Sequence, residues 1–290
     1  MPCYNAEKYI STAIQSILNQ DMPDFELLII NDGSTDATDT EINKFRDNRI
    51  RYNRNQKNFG NYSARNLGIQ LSKGKYIAML DSDDIARPNY LTSLSQYLDA
   101  NPKVGCVGAL SEIINEFCDP IGFINRPLNH RILKTYLIKD NFVTQSTMML
   151  RSRLIKKHSL FYDEKFKYSG DYDFIVRASF KFLVTNIGKV LIQYRKHDQQ
   201  ISIAKQQLQE KFADLVRIKQ LEKFGVKYSR EELSLHLKLM KEAKITKSEI
   251  NSSIKWFNNL INANDKTLCF DKKELISFFS KVILLAMKSA

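Results

Sequence analysis

The sequence predicts an α/β protein: an open, mixed and mainly parallel sheet flanked by helices over residues 1–203, followed by an all-helical extension over 204–290. Three observations predict it. Short apolar runs alternate with helical patterns along the first two thirds of the chain, which is the pattern of strands and crossover helices. One of them, "FELLIIND" (25–32), is apolar without alternation and ends at polar residues, as strands buried on both faces do. From about residue 204 only helical patterns remain.

The elements follow in order. "AEKYISTAIQSILNQ" (6–20) spaces Ile10, Ala13, Ile14, Ile17 and Leu18 as one helical face. "FELLIIND" (25–32) reads as a buried strand, "TDATDTEINKFRD" (35–47) as a helix and "IRYNRN" (50–55) as a short strand. "GNYSARNLGIQLSKG" (60–74) reads as a helix closed by Gly74. "KYIAML" (75–80) is a strand, "NYLTSLSQYLDANP" (89–102) a helix and "VGCVGALSEII" (104–114) a strand. In the extension, a helix over 204–224 places Leu208, Phe212, Leu215 and Leu221 on one face and stops at Gly225. Three more begin with a Ser/Thr/Asp-x-x-Glu signature: Ser229 with Glu232, Thr246 with Glu249, and Asp271 with Glu274. There the first side chain accepts from an orphan backbone N–H and the Glu reaches back to another.

Composition excludes several classes. The 290 residues are 43% hydrophobic and 26% charged, as in globular proteins, with length enough for a large core. No run approaches the roughly 18 consecutive apolar residues of a membrane-spanning helix, and "MPCYNAEKYI" is not a signal peptide. Cys3, Cys106, Cys118 and Cys269 are scattered without a CxxC pair. That pattern suits reduced thiols in the cytoplasm and opposes a zinc site. The net charge is +12, about +7 of it beyond residue 203. Lys and Arg are nevertheless interleaved with Asp and Glu, and no nucleic-acid signature appears, so nucleic acid is not an expected partner. The stretch "ELISFFSKVILLAMKS" (274–289) is amphipathic; it suits either packing on its own domain or peripheral contact with a membrane face.

"YIAMLDSDDIA" (76–86) carries the chemistry. Asp81, Asp83 and Asp84 crowd the end of an apolar strand, where open α/β sheets bind ligands. Two carboxylates about 4 Å apart repel by roughly 4 kcal/mol at an effective dielectric near 20. Were the segment extended, Asp81 and Asp83 would project to one side, and hard oxygen ligands there suit Mg²⁺ or Mn²⁺. "DSDDIARPNYLT" lacks the Gly and Glu of an EF-hand loop. The alternative is structural: the carboxylates cap the helix starting near Asn89 or pair with Arg87.

Three ordered stretches resemble family 2 glycosyltransferases of the GT-A fold, a Rossmann-like nucleotide-sugar-binding architecture. They are "PCYNAEKYISTAIQSILNQ", "DFELLIINDGSTDAT" and "NFGNYSARNLGIQLSKGKYIAMLDSDD". Two more extend the resemblance to residue 203: "TQSTMMLRSRLIKKHSLFYDEKFKYSGDYDFIVRAS" (144–179) and "YRKHDQQIS" (194–202). The helical tail more loosely resembles that of bacterial polysaccharide- or lipopolysaccharide-assembling members.

The resemblance implies a role for each matching position. Pro2 and Tyr4 match the turn against the nucleotide base, and Asp32 the carboxylate accepting from the uracil N3–H. Arg65 matches a cationic residue near the nucleotide. Asp83 and Asp81 match the metal motif, with Asp81 also directed to the ribose. Asp171 in "SGDYDF" matches the catalytic aspartate, although relatives often carry Glu where this chain has Gly170. Asp173 is expected to face elsewhere and serve structure. His197 matches a histidine closing over the donor diphosphate, with Arg195 a weaker candidate. The implied activity is inverting, Mn²⁺- or Mg²⁺-dependent transfer from a nucleotide-diphosphate sugar, UDP-linked, to a hydroxyl of a glycan or lipid-linked acceptor. Loops around 115–145 are expected to set specificity.

Two other readings stay open. One is a nucleotide-sugar-binding protein without turnover. The other is a sugar nucleotidyltransferase, for which "MPCYNAEKY" lacks the Gly-rich, basic loop. Relatives also place an apolar strand before the "P-x-Y-N" turn. Without it the sheet is expected to lack a first, central strand: either translation starts upstream, or a gap lies beside the second strand. A gap predicts poor solubility, improved by restoring the strand.

Overall fold

The computed structural model describes residues 1–198, 200 and 204–288. Gln199, Ile201 and Ser202 of the "YRKHDQQIS" stretch, the Ile203 side of the expected domain boundary and Ser289 of the terminal amphipathic stretch lie outside the described residues.

The strands form two sheets. In the first, β1 (Pro2–Cys3), β2 (Leu27–Asn31) and β3 (Ile50–Arg54) run parallel, with Pro2 opposite Ile30 and Leu27 opposite Ile50. The second contains β4 (Tyr76–Ala78), β5 (Ile85–Ala86), β6 (Val104–Ile114), β7 (Pro120–Ile124), β8 (Met149–Arg151) and β9 (Leu183–Arg195). Its order is β4-β8-β6-β9-β5, with β7 on β6. Only β6 and β9 pair parallel there, and the short strands β4, β5, β7 and β8 add antiparallel pairs. The helices are α1 (Ile10–Leu18), α2 (Thr38–Ile42), α3 (Asn61–Leu71), α4 (Tyr90–Ala100), α5 (His130–Tyr136), α6 (Ser152–Lys157) and α7 (Gly170–Ser179). α1 buries Ile10, Ala13, Ile14 and Ile17, as its spacing requires, and Ile10, Ile14 and Ile17 join a core that residues of β2, α4, β6 and β9 share.

Between the two sheets lies a cavity of about 670 Å³ lined by Met1, Leu28 and Ile30 on one side and Tyr76, Ile77 and Ala78 on the other. β1 and β4 are the facing edges, and no described strand joins them. The Met1 amine donates to the Leu28 carbonyl at 2.7 Å. Burial, then the nearby Arg65 charge, lowers its pKa to about 5. The gap expected beside the second strand is therefore a largely apolar slot.

Three local expectations need correction. α2 is five residues long instead of spanning 35–47, because beyond it Lys44 and Phe45 tighten to i−3 bonds and Asp47 closes a turn with Arg49. α3 ends at Ser72, whose backbone turns extended and whose hydroxyl takes the Ile69 carbonyl, so Gly74 is not its cap. Residues 81–84 form a turn closed by Asp84 N–H on the Asp81 carbonyl, not an extended segment.

The extension consists of α8 (Gln206–Phe224), α9 (Arg230–Met240), α10 (Lys247–Thr267) and α11 (Lys272–Lys288). Full capping boxes open α9 and α10, while Asp271 accepts from Lys273 and Glu274 N–H at α11. α8 is tied to the preceding fold: Arg217 donates to the Lys139 carbonyl and Gln220 to that of Leu137. No helix among the described residues is long and apolar enough to cross a membrane.

Candidate active site

The acidic turn after β4 gathers three carboxylates whose oxygens lie within 4.8 Å of one another: Asp81, Asp83 and Asp84. The turn adds Asp84, which an extended strand would have directed to the other side, to Asp81 and Asp83. Each carboxylate has a different anchor. Asp81 pairs with Arg65 on α3, and its N–H donates to the Ser146 hydroxyl at 3.1 Å. Asp83 meets His197 Nε2 at 3.1 Å. Asp84 is buried, and its Oδ1 accepts from the Arg195 N–H at 2.9 Å. Its Oδ2 has no hydrogen-bond partner. Burial, then the Asp83 and Asp81 charges, push the Asp84 pKa well above the usual carboxylate range. Neither structural alternative holds: Asn89 caps α4 without a side-chain bond, and Arg87 pairs with Glu112. A hard divalent cation fits this set, because carboxylate oxygens are its preferred donors and an orphaned buried one is among them.

Arg195 and His197 extend from the end of β9 over this turn. The Arg195 side chain is fully buried yet makes no ion pair among the described residues. It donates to the Asp83 carbonyl at 2.9 Å and to the Asn115 and Glu116 carbonyls at 3.2 and 3.1 Å, and lies over the Tyr9 ring. Tyr9 also contacts the His197 ring, with centroids 4.9 Å apart. Arg195 thus holds the acidic turn, while His197 reaches its ligand side.

The positions matched to the nucleotide surround the ends of β1 and β2. Pro2, in β1, pairs with Ile30 of β2, and Tyr4 follows it half exposed. Asp32 is buried beyond β2 and accepts from Asn55 Nδ2, Phe59 N–H and Gly60 N–H, fastening the loop that leads into α3. Arg65 is buried with Nε and Nη1 unpartnered, its third nitrogen on Asp81.

Asp171 stands in the first turn of α7, where the helix dipole favours a carboxylate. Its Oδ2 accepts from Asn141 Nδ2 at 2.9 Å and its Oδ1 from the Tyr62 hydroxyl at 3.3 Å. Asp173 is buried beside Arg177 and Lys219. Tyr62 and Arg65 are three residues apart on α3, neighbours on one helix face. One helix therefore connects the acidic turn with Asp171. Sequence reasoning did not single out Tyr62, Asn141, Ser146 or Tyr9. The three-residue spacing from Arg65 was a signal for Tyr62; Asn141, Ser146 and Tyr9 carry no local one.

A family model described as glycosyl transferase family 2 matches residues 1–159, over half of the chain. An "uncharacterized glycosyltransferase" of Haemophilus influenzae is 32% identical over 248 residues, 82% of this chain and 75% of the relative. The chain is a family 2 glycosyltransferase.

Two solved structures share its fold. Staphylococcus aureus TarS in complex with UDP-GlcNAc aligns with a TM-score of 0.61 and 16% identity, over 98% of this chain and 87% of that one. The mannosyltransferase PcManGT from Pyrobaculum calidifontis, in complex with GDP-Man and Mn²⁺, aligns at 0.61 and 13% identity, over 98% and 79%. Both support the GT-A fold for this glycosyltransferase, with its helical C-terminal region.

Proposed function

We propose that this glycosyltransferase moves a sugar from a UDP-sugar to a hydroxyl of a glycan or lipid-linked acceptor, with inversion, in cell-surface polysaccharide assembly. The observation that carries the reading is the acidic turn, with its orphaned buried oxygen, joined through α3 to a carboxylate held by two side-chain donors. The UDP-GlcNAc in TarS and the GDP-Man and Mn²⁺ in PcManGT support a nucleotide-sugar donor and a metal. The setting proposed is the cytoplasm, with the basic extension able to meet an anionic membrane face.

In this reading the Tyr4 ring lies against the base and Asp32 accepts from the uracil N3–H. A divalent cation held by Asp83 with Asp81 would supply charge neutralisation for the departing diphosphate. Arg65 holds Asp81 in place, and His197 leaves Asp83 to close over the diphosphate. Asp171 takes the acceptor hydroxyl's proton as that oxygen bonds to the anomeric carbon. The bond from that carbon to the diphosphate oxygen breaks, and UDP leaves with the electron pair.

The test is UDP release from a panel of UDP-sugars with Mn²⁺, paired with calorimetry of UDP. Asp171→Asn is expected to keep UDP affinity and lose turnover at least 100-fold, within the range for general bases. Asp83→Asn is expected to erase the gain in UDP affinity that Mn²⁺ gives the wild type. Full turnover by Asp171→Asn removes it as the base, and metal-independent UDP affinity in the wild type removes the metal.

A further inference from the structure

The start of α7 lacks the cap its sequence offers. Ser169 sits at the N-cap in the left-handed region (φ 54°), and its hydroxyl donates to the Gln209 carbonyl of α8 instead of accepting from α7. A side chain from another helix takes its place: the Tyr62 hydroxyl accepts from the Gly170 N–H at 2.8 Å. The same hydroxyl donates to Asp171 Oδ1. Burial, then the Asp171 charge, pushes its pKa well above the usual tyrosine value, so it keeps the proton it donates.

Gly170 is what admits that ring. A Cβ there would stand 2.7 to 2.9 Å from three atoms of the Tyr62 ring. The ring has little room to retreat, because it stacks on Tyr162 with centroids 5.4 Å apart, and Tyr162 stacks on Phe174 at 4.5 Å. A side chain at 170 and a tyrosine at 62 are therefore mutually exclusive. From the opposite side Asn141 holds the second oxygen of Asp171, with its own Oδ1 fixed by the Val143 N–H at 3.0 Å.

We infer that Tyr62 and Asn141 are positioning residues for the Asp171 carboxylate, and that residue 170 is glycine so that the Tyr62 hydroxyl can reach both the helix end and the carboxylate. The inference rests on the proposed role of Asp171 as the base. One donor on each oxygen fixes the carboxylate's plane and leaves lone pairs on both oxygens for an incoming proton. Preorganisation of this kind acts on the chemical step and spares donor binding.

The experiment measures kcat and KM for UDP release from UDP-glucose and UDP-N-acetylglucosamine with Mn²⁺ and water as acceptor, alongside Tm. Tyr62→Phe keeps the ring and removes the hydroxyl. It and Asn141→Ala are each expected to lower kcat by about tenfold, with donor KM within about twofold. Gly170→Ala is expected to lower both Tm and kcat. Adding Tyr62→Ala to Gly170→Ala is expected to lower Tm less than Tyr62→Ala does with Gly170 in place, because the clash is gone, and not to restore kcat. Wild-type kcat in both Tyr62→Phe and Asn141→Ala, with Asp171→Asn inactive, overturns the positioning role and leaves the base in place. Full activity in Asp171→Asn overturns the base and this inference with it. A Gly170→Ala protein with wild-type Tm overturns the steric pairing whether or not turnover is detected.

Discussion

At the scale of single residues, the charges of the site are held by neutral groups as much as by opposite charges. Arg195 shows this most clearly: a buried guanidinium bonded to the carbonyls of Asp83, Asn115 and Glu116 joins the acidic turn to the β6–β7 connection. Lysine has the charge but not the planar fork. Arg195→Lys is expected to lower unfolding free energy by ~3 kcal/mol, since hydrogen bonds to charged groups contribute roughly 1.5–3 kcal/mol each. The same variant should weaken Mn²⁺-dependent UDP affinity, because the Asp83 backbone loses its anchor. Urea unfolding and calorimetry check both outcomes, and unchanged values in both would mean that Arg195 anchors nothing. Asp81 and Asp83 stood out in the sequence because carboxylates crowded at the end of an apolar strand repel one another, whereas Asp171 stood out only through the family resemblance, since an acid at a helix start is ordinary. Arg195 was legible only as a weak match, since its partners are carbonyls, which every residue carries.

At the scale of elements, capping chemistry was readable and its absence was not. Ser229 and Thr246 form the boxes their spacing announced, since both partners lie within one turn. The end of α3 and the shortness of α2 depend on hydroxyl and carboxylate bonds that compete with the helix. The cap of α7 comes from α3, more than a hundred residues earlier. The α9–α10 pair carries a test of its own. His236 Nδ1 accepts from Trp256 Nε1 at 3.2 Å, while its Nε2 is buried without a partner. Burial, then the Arg217 charge, lowers the His236 pKa from 6.5 to about 3. Below pH 6.5 the unfolded chain protonates this imidazole and the folded one does not, so stability falls with pH down to about 3. The loss amounts to ~5 kcal/mol at its limit, at 1.36 kcal/mol per pKa unit. Trp256 is the chain's one tryptophan, so its fluorescence follows this transition directly. His236→Gln keeps an acceptor for the indole and cannot titrate, and it is expected to move the acid midpoint to lower pH. Identical midpoints in the two proteins would place the acid sensitivity elsewhere.

At the scale of the whole molecule, the two sheets meet at a slot, where the family resemblance led to the expectation of either an upstream start or a gap beside the second strand. Strand alternation announced an α/β sheet, but not its division into two. The antiparallel joins of β4, β5, β7 and β8 were not announced, because strands of two to five residues carry no pairing signal. The slot places an amine among Leu28, Ile30 and Ile77, with its pKa lowered from 8.0 to about 5. Between pH 8 and 5 the unfolded chain binds a proton there that the folded chain refuses, so stability rises with pH across that window. Five apolar residues appended before Met1 would remove the charge and supply a strand to two unpaired edges. One extended chain crosses about 17 Å in five residues, a length comparable to β2. The extended protein is expected to melt several degrees higher, to be more soluble, and to lose the part of its pH dependence between 5 and 8 that the amine causes. Melting at pH 5.5 and pH 8 for both proteins separates the contributions: a strand that fills the slot raises Tm at both values, and a strand that only removes the charge raises it at pH 5.5 alone. Equal melting at both values would mean that the slot takes no strand.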